Sequence, residues 1–252
     1  MNVSGLKRGA RRFAELAPGN QSKTLFCLAL ILIATSLTAR AVTLGQVDDF
    51  QDGTAQNWRI GVGPVGNVAN GGPTGAGDRY IQYTSTGGFG VQSRMIVFND
   101  SQWTGNYLGS GTTSIALDLA NFGAQSLSVR LAFRDTDGSG YSATTPFSLA
   151  ADSQWHHTAF TLTAGNFTAI GSPSVSFNDL LTSFTGQLRI LSSSSPSLLG
   201  DPVAATLGID NVQAIPEPSS FMMVGIALLL WLRCVRCGQQ AGKRCQQKIR
   251  LL

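Results

Sequence analysis

Apolar and polar residues alternate with a period of two through much of the middle of this chain. Ile115-Ala116-Leu117-Asp118-Leu119 puts a large apolar side chain at every second position, and Leu127-Ser128-Val129-Arg130-Leu131-Ala132-Phe133 repeats the pattern. Successive side chains of an extended strand point to opposite faces, so such runs bury one face and offer the other to water. Residues 80–84, 95–98, 160–162, 188–191 and 207–212 are further short strand candidates. Gly87-Gly88, Gly109-Ser110-Gly111, Asp137-Gly138 and Gly171-Ser172-Pro173 supply turn chemistry between them. No stretch of the middle carries an apolar stripe at helical spacing. Short strands with one apolar face bury those faces against each other. The pattern therefore predicts an all-β fold, an antiparallel two-sheet β-sandwich of jelly-roll type, over residues 42–214.

Charge divides the chain in the same way. Of 18 basic residues, six precede residue 42 and six follow residue 232, which leaves six arginines and no lysine for the middle. Of 14 acidic residues, only Glu15 and Glu217 lie outside residues 42–214, which hold twelve aspartates and no glutamate. Six arginines against twelve aspartates give the middle a net charge of −6, although the whole chain is +4. A surface for nucleic acid needs clustered cations, and this composition excludes one for the body. Cys27 lies in the front segment and Cys234, Cys237 and Cys245 in the tail, so the body has neither disulfide nor thiol nucleophile.

Both ends read as transport signals. A basic stretch from Lys7 to Lys23 precedes an apolar run over residues 25–37, and Ala39-Arg40-Ala41 follows. Thirteen helical residues span roughly 20 Å, short of a hydrocarbon core of about 30 Å. This favours a signal peptide over residues 1–41, cut by signal peptidase after Ala41, with Ala39 and Ala41 as the small residues of the site. An uncleaved N-terminal anchor is the alternative.

At the back, Pro216-Glu217-Pro218-Ser219 precedes an apolar run over residues 221–232, and Arg233 and Arg236 follow. The trailing cations keep that end cytoplasmic while the body faces outward. This order of motif, short transmembrane helix and basic tail over residues 215–252 resembles the PEP-CTERM sorting signal of Gram-negative bacteria. The resemblance implies that an exosortase recognises Pro216, Glu217 and Pro218, cuts near them, and passes the body from the inner membrane to the cell surface or extracellular matrix. Here the tail runs on to Leu252. A plain C-terminal membrane anchor is the alternative. Cys234 and Cys237 with Cys245 offer three thiols and no histidine follows, so a four-ligand zinc site is not formed by them.

The body opens with Gln46-Val47-Asp48-Asp49-Phe50-Gln51-Asp52-Gly53, followed by Trp58, and closes with Leu207-Gly208-Ile209-Asp210-Asn211-Val212. These stretches resemble the first and last strands of carbohydrate-binding-module-like jelly rolls, as Ser153-Gln154-Trp155 resembles their tryptophan-led strand. The resemblance implies neighbouring terminal strands that share a structural calcium. Calcium prefers hard oxygen donors, and Asp49, Asp52 and Asp210 are the candidate ligands.

For chemistry, Asp135-Thr136-Asp137-Gly138-Ser139-Gly140 begins like an EF-hand loop, but position 12 falls at Pro146, so a turn is expected instead. His156 and His157 are adjacent and point to opposite faces of any strand. Residues 61–77 are glycine-rich without a following Lys-Ser/Thr, a long loop rather than a phosphate cradle. Sugar binding needs exposed aromatic faces beside polar groups, and Trp103, Tyr107 and Asn106 form the candidate cluster; Trp58 and Trp155 are expected in the core. The chain thus reads as an exported, non-catalytic binding or structural module, with extracellular polysaccharide as its partner. A secreted hydrolase acting on polysaccharide through aspartates is the alternative.

Overall fold

The computed structural model describes residues 42–61 and 63–216. The signal segment with Ala39 and Ala41, and the sorting segment from Glu217 and Pro218 onward, lie outside the described residues. Among the described residues no helix is long and apolar enough to cross a membrane.

In chain order the elements are β1 (Val47–Asp48), β2 (Arg59–Ile60), β3 (Gly63–Pro64), β4 (Gly66–Val68), β5 (Tyr80–Thr86), β6 (Ile96–Asn99), β7 (Thr112–Asn121), β8 (Leu127–Arg134), β9 (Gly140–Ala143), β10 (Phe147–Leu149), β11 (Trp155–Thr161), β12 (Phe167–Ile170), α1 (Phe177–Thr182), β13 (Gln187–Ser192) and β14 (Ala204–Pro216). One sheet runs β11-β7-β14-β5-β4, with β1 also on β14; the other runs β12-β9-β8-β13-β6-β2-β3, with β10 on β8. Every pairing is antiparallel. β1 pairs β14 through Asp48 and Val212, so the first and last strands are neighbours.

Alternation decides what goes inside. Ile115, Leu117 and Leu119 of β7 and Leu207 and Ile209 of β14 meet Val129, Leu131 and Phe133 of β8 and Leu188 and Ile190 of β13 in one shared core. Burying each such side chain contributes about 1.5–3 kcal/mol before entropy is counted. Phe133 is the hub, with edge-on contacts to Tyr107, Phe167, Phe177 and Phe184 at centroid distances of 5.4, 5.8, 5.9 and 5.2 Å.

β14 changes its inward set halfway along. Its register against β7 shifts between Asp210 and Gln213, and Asn211 takes a left-handed φ of 49°. A bulge adds one residue to one strand. Inward positions therefore pass from Leu207 and Ile209 to Val212 and Ala214, all in the core, while Asp210 stays with Gly208 on the outer face.

Three local features differ from the sequence expectation. The glycine-rich stretch 61–77 contains β3 and β4 rather than loop alone. Helix α1 exists where no stripe was visible; Ser176 caps it by accepting from the Asp179 amide, and Phe177, Leu180 and Leu181 are buried. β14 continues through Ile215 and Pro216, paired to Ser114 and Thr112, so the fold passes the boundary expected at residue 214. The Asp137-Gly138 segment is the expected turn, with the Gly138 amide donating to the Asp135 carbonyl at 3.1 Å.

Candidate functional site

Trp103, Tyr107 and Asn106 do not make a sugar-facing cluster. Trp103 and Tyr107 are fully buried. Backbone bonds fix the segment: the Gly105 amide donates to the Phe184 carbonyl at 2.6 Å and the Tyr107 amide to the Leu181 carbonyl at 2.8 Å. That anchoring turns the Tyr107 ring into the core against Phe133 and Phe184, and its hydroxyl donates to the Trp103 carbonyl at 2.6 Å. Asn106 caps a turn, its Oδ1 accepting from the Gly109 amide at 2.6 Å.

Trp103 has a second role at Asp48. One carboxylate oxygen, Asp48 Oδ2, accepts from Trp58 Nε1 at 2.7 Å, Trp103 Nε1 at 2.6 Å and Gln102 Nε2 at 2.9 Å. Asp48 is only 5% exposed. Burial raises its pKa, opposed by the indole and amide donors. The other oxygen, Oδ1, has no donor among the described residues, and Asp48 lines an open cleft of about 930 Å³ with Asp52, Gln56, Asn57, Asp100 and Gln102. The backbone bends sharply here: Phe50, Gln56 and Asn57 have φ of 57°, 44° and 62°, left-handed values that non-glycine residues seldom adopt and that cluster at functional sites. Arg59 pairs with Asp100 and lies 4.7 Å from the Phe98 ring centroid. That partner holds the Asp100 carboxyl below its usual range. The Thr54 amide and hydroxyl do the same for Asp52.

The outer face of the β11-β7-β14-β5-β4 sheet carries a different arrangement. Trp155, Ala120, Gly208 and Gln82 form one row across four strands. Trp155 meets Tyr80 edge-on at 5.1 Å and Phe122 at 6.1 Å, and Tyr80 lies 5.9 Å from Phe122. Gly208 makes the trio fit: a Cβ there would stand 2.8 Å from Phe122 and 3.0 Å from Trp155. Trp155 and Phe122 are half-buried and Tyr80 is buried. Trp155 Nε1 donates to the Gly71 carbonyl at 2.9 Å, which ties the indole to the loop between β4 and β5. Trp58 is in the core as expected; Trp155 is not, because its strand parity points outward.

One row along, His157, Asp118 and Asp210 stand side by side on β11, β7 and β14. Asp118 Oδ1 lies 2.8 Å from His157 Nδ1, and Asp118 Oδ2 accepts from Asn211 Nδ2 at 2.9 Å. Asp210 is fully buried, its Oδ1 accepts from the Asn211 amide at 2.7 Å, and its Oδ2 has no partner. Burial, then the charges of Asp78, Asp118 and Asp49, push its pKa to about 7. His156 turns to Asp152 instead, at 3.0 Å, so the two histidines serve different aspartates.

The expected calcium pairing, Asp49 or Asp52 with Asp210, is left with Asp49 as the one of the two whose charge reaches Asp210. Among the described residues no three acidic, histidine or cysteine side chains converge as metal ligands. Asp52 belongs to the cleft, whereas Asp49 acts on Asp210 by its charge. The orphaned Asp210 oxygen is the one atom of the set that calls for a cation or a proton.

No family model matches the chain, and no curated protein matches it. Solved structures that it resembles include a family 11 carbohydrate-binding module from Clostridium thermocellum in complex with a beta-1,3-1,4-mixed-linked tetrasaccharide, at 14% identity over 69% of this chain and 97% of that one, TM-score 0.43. An exo-beta-agarase follows at 13% identity over 70% of this chain and 25% of that one, TM-score 0.48. A non-crystalline cellulose specific carbohydrate-binding module, CBM28, matches at 14% identity over 71% of this chain and 99% of that one, TM-score 0.41. Likenesses this distant carry no weight for what this chain binds.

Proposed function

We propose that the body is a non-catalytic polysaccharide-binding module that works outside the cytoplasm, with the outer face of the first sheet as its main contact surface. The observation behind this is the half-exposed aromatic pair Trp155 and Phe122, seated on small residues in a sheet and bordered by Gln82, Thr84 and Thr206. Flat aromatic faces pack on the C–H surfaces of sugar rings, and amide and hydroxyl groups meet the ring hydroxyls. The Thr84 and Thr206 hydroxyls lie 2.9 Å apart and reinforce the rim. The test is affinity electrophoresis of the full chain through gels containing neutral β-glucans. Trp155→Ala should abolish retardation without lowering Tm by more than a few degrees; unchanged retardation would remove this face from consideration.

Sorting completes the proposal. The segment after β14, Glu217-Pro218-Ser219 with its apolar run and basic tail, serves as the exosortase signal, and residues 1–41 as the signal peptide. Mass spectrometry of the mature protein reads both cut sites. Calcium at Asp210, with Asp49 among the negative charges directed at it, would serve fold stability there.

Hydrolysis through aspartates is favoured by one observation. Asp48 has a raised pKa while Asp52 and Asp100, in the same cleft, have lowered ones, and carboxyl pairs whose environments push them apart suit acid and base roles. Product release from a bound glycan, lost in Asp48→Asn, would select this reading over binding alone.

A further inference from the structure

His157 shares the outer face of the first sheet with Trp155. Residues two apart on a strand point the same way and lie about 6.6 Å apart along it. His157 therefore stands next to Trp155 on β11, as Asp118 stands next to Ala120 on β7. The His157 side chain is 68% exposed, yet its ring is held in place. Asp118 Oδ1 lies 2.8 Å from His157 Nδ1, and Asp118 Oδ2 accepts from Asn211 Nδ2 at 2.9 Å. With both oxygens engaged, the carboxylate cannot rotate without losing a bond. Asn211 itself sits at the β14 bulge with a left-handed φ of 49°.

This support is costly. Asp118 faces Asp210 across the ladder, a like-charge relation that destabilises a sheet, and Asp210 Oδ2 is buried without a partner. A left-handed asparagine adds backbone strain. Strained features of this kind gather where a group has to be oriented for a task, and the group oriented here is the His157 imidazole. Its polarity follows from its partner. An ionised carboxylate only accepts, so the hydrogen of the neutral ring lies on Nδ1 and Nε2 carries a lone pair. Nε2 has no hydrogen-bond partner among the described residues. A lone pair there takes the hydrogen of a sugar hydroxyl and opposes a carboxylate, which brings acceptors alone.

We propose that His157 Nε2 accepts a ring hydroxyl of the polysaccharide packed on Trp155, with Asp118 and Asn211 as positioning residues, and so selects chains with free hydroxyls over chains that carry carboxylates. The assignment rests on the aromatic face as the glycan surface and narrows its ligand to neutral chains. The charge of the body, six arginines against twelve aspartates, acts in the same direction at longer range.

Affinity electrophoresis of the full chain at pH 8, in gels containing hydroxyethyl cellulose or carboxymethyl cellulose, holds the backbone constant and changes the substituent. The natural chain should be retarded several-fold more strongly by the hydroxyethyl polymer. His157→Ala should weaken that retardation roughly three- to tenfold, the worth of one hydrogen bond, with little change in Tm. Asp118→Asn turns an N–H toward Nδ1 and moves the ring hydrogen to Nε2, so hydroxyethyl retardation should fall and carboxymethyl retardation rise. Loss of a negative charge alone also raises the latter, and the same substitution made in His157→Ala supplies the control, where the rise should be smaller. Nitrogen-15 NMR of His157 reads the tautomer directly: Nε2 bare in the natural chain and protonated in Asp118→Asn. If Asp118→Asn does not fold, Asn211→Gly keeps the left-handed backbone and should lower hydroxyethyl affinity several-fold by loosening Asp118. Unchanged hydroxyethyl retardation in His157→Ala, a protonated Nε2 in the natural chain, or equal retardation of the natural chain by the two polymers would overturn the His157 assignment while the aromatic face stands. A natural chain retarded by neither polymer would remove both proposals together.

Discussion

Asp118 on β7 and Asp210 on β14 stand directly opposite each other across the two central strands of the first sheet. Like charges in that relation destabilise a sheet. Asp118 is relieved by His157 and Asn211, whereas Asp210 Oδ2 is buried without a partner. Asp210 answers by holding its proton, with a folded pKa of about 7 against 3.8. Between those values the folded chain binds a proton that the unfolded chain lacks, so this group's contribution falls as pH rises from about 4 to 7. Asp210→Asn should therefore raise stability at pH 8 by roughly 1–3 kcal/mol and leave it nearly unchanged at pH 4. Thermal melts at the two pH values check this, and an equal shift at both would contradict it.

On the proposed calcium reading a divalent cation would compete for the same oxygen. Added calcium should raise Tm above pH 7, where Asp210 is ionised, and have little effect near pH 5, where the proton occupies the site. Chelator should reverse the gain at high pH in the natural chain and do nothing to Asp210→Asn. Differential scanning calorimetry with and without EDTA measures it.

At Asp48 the acceptor and the charge are separated by which atom is removed. Asp48→Ala leaves the buried Trp58 and Trp103 indole N–H groups unpaired, and each orphaned donor costs about 1–3 kcal/mol. The loss should be roughly 3 kcal/mol or more, seen in urea unfolding. Asp48→Asn retains an acceptor and removes a buried charge, so it should change stability by less than about 1 kcal/mol. Equal losses in the two variants would show that the carboxylate charge, rather than its acceptor, holds the indoles.

Gly208→Ala puts a methyl within 3.0 Å of both Phe122 and Trp155. The rings must shift, so the variant should lose roughly 1–3 kcal/mol and weaken glycan binding together with it. Trp155→Ala/Gly208→Ala should then be less than additive in stability, because the methyl fills space that the indole has vacated. Additive losses would mean that the two positions are not in contact.

The long strands were legible because alternation is a local property. Residues 115–119 and 127–133 fall within β7 and β8 and their large apolar side chains take the expected inward face, but the other face is not given to water, for Ala116, Arg130 and Ala132 are buried as well. β3 and β4 were hidden because glycine, proline and asparagine show no inward set, and α1 because six residues make fewer than two turns. The exposure of the aromatics was misread for a related reason. Trp103 sits among Asn99, Asp100 and Asn106, polar neighbours that suggest exposure, yet its indole is satisfied by Asp48, fifty-five positions away. Trp155 is named to the outer face only by its pairing with Ala120. Exposure of a single aromatic follows from register and from distant partners, neither of which a short stretch of sequence contains.

β14 is bonded along its length to β7 on one side and to β5 and β1 on the other, and it reaches Pro216 without a break. A force applied at that proline along the strand axis would load the ladders on both flanks at once in shear instead of peeling an edge. A cut made upstream of residue 204 would withdraw the central plank of the sheet. One made just beyond 216 leaves every strand of both sheets in place.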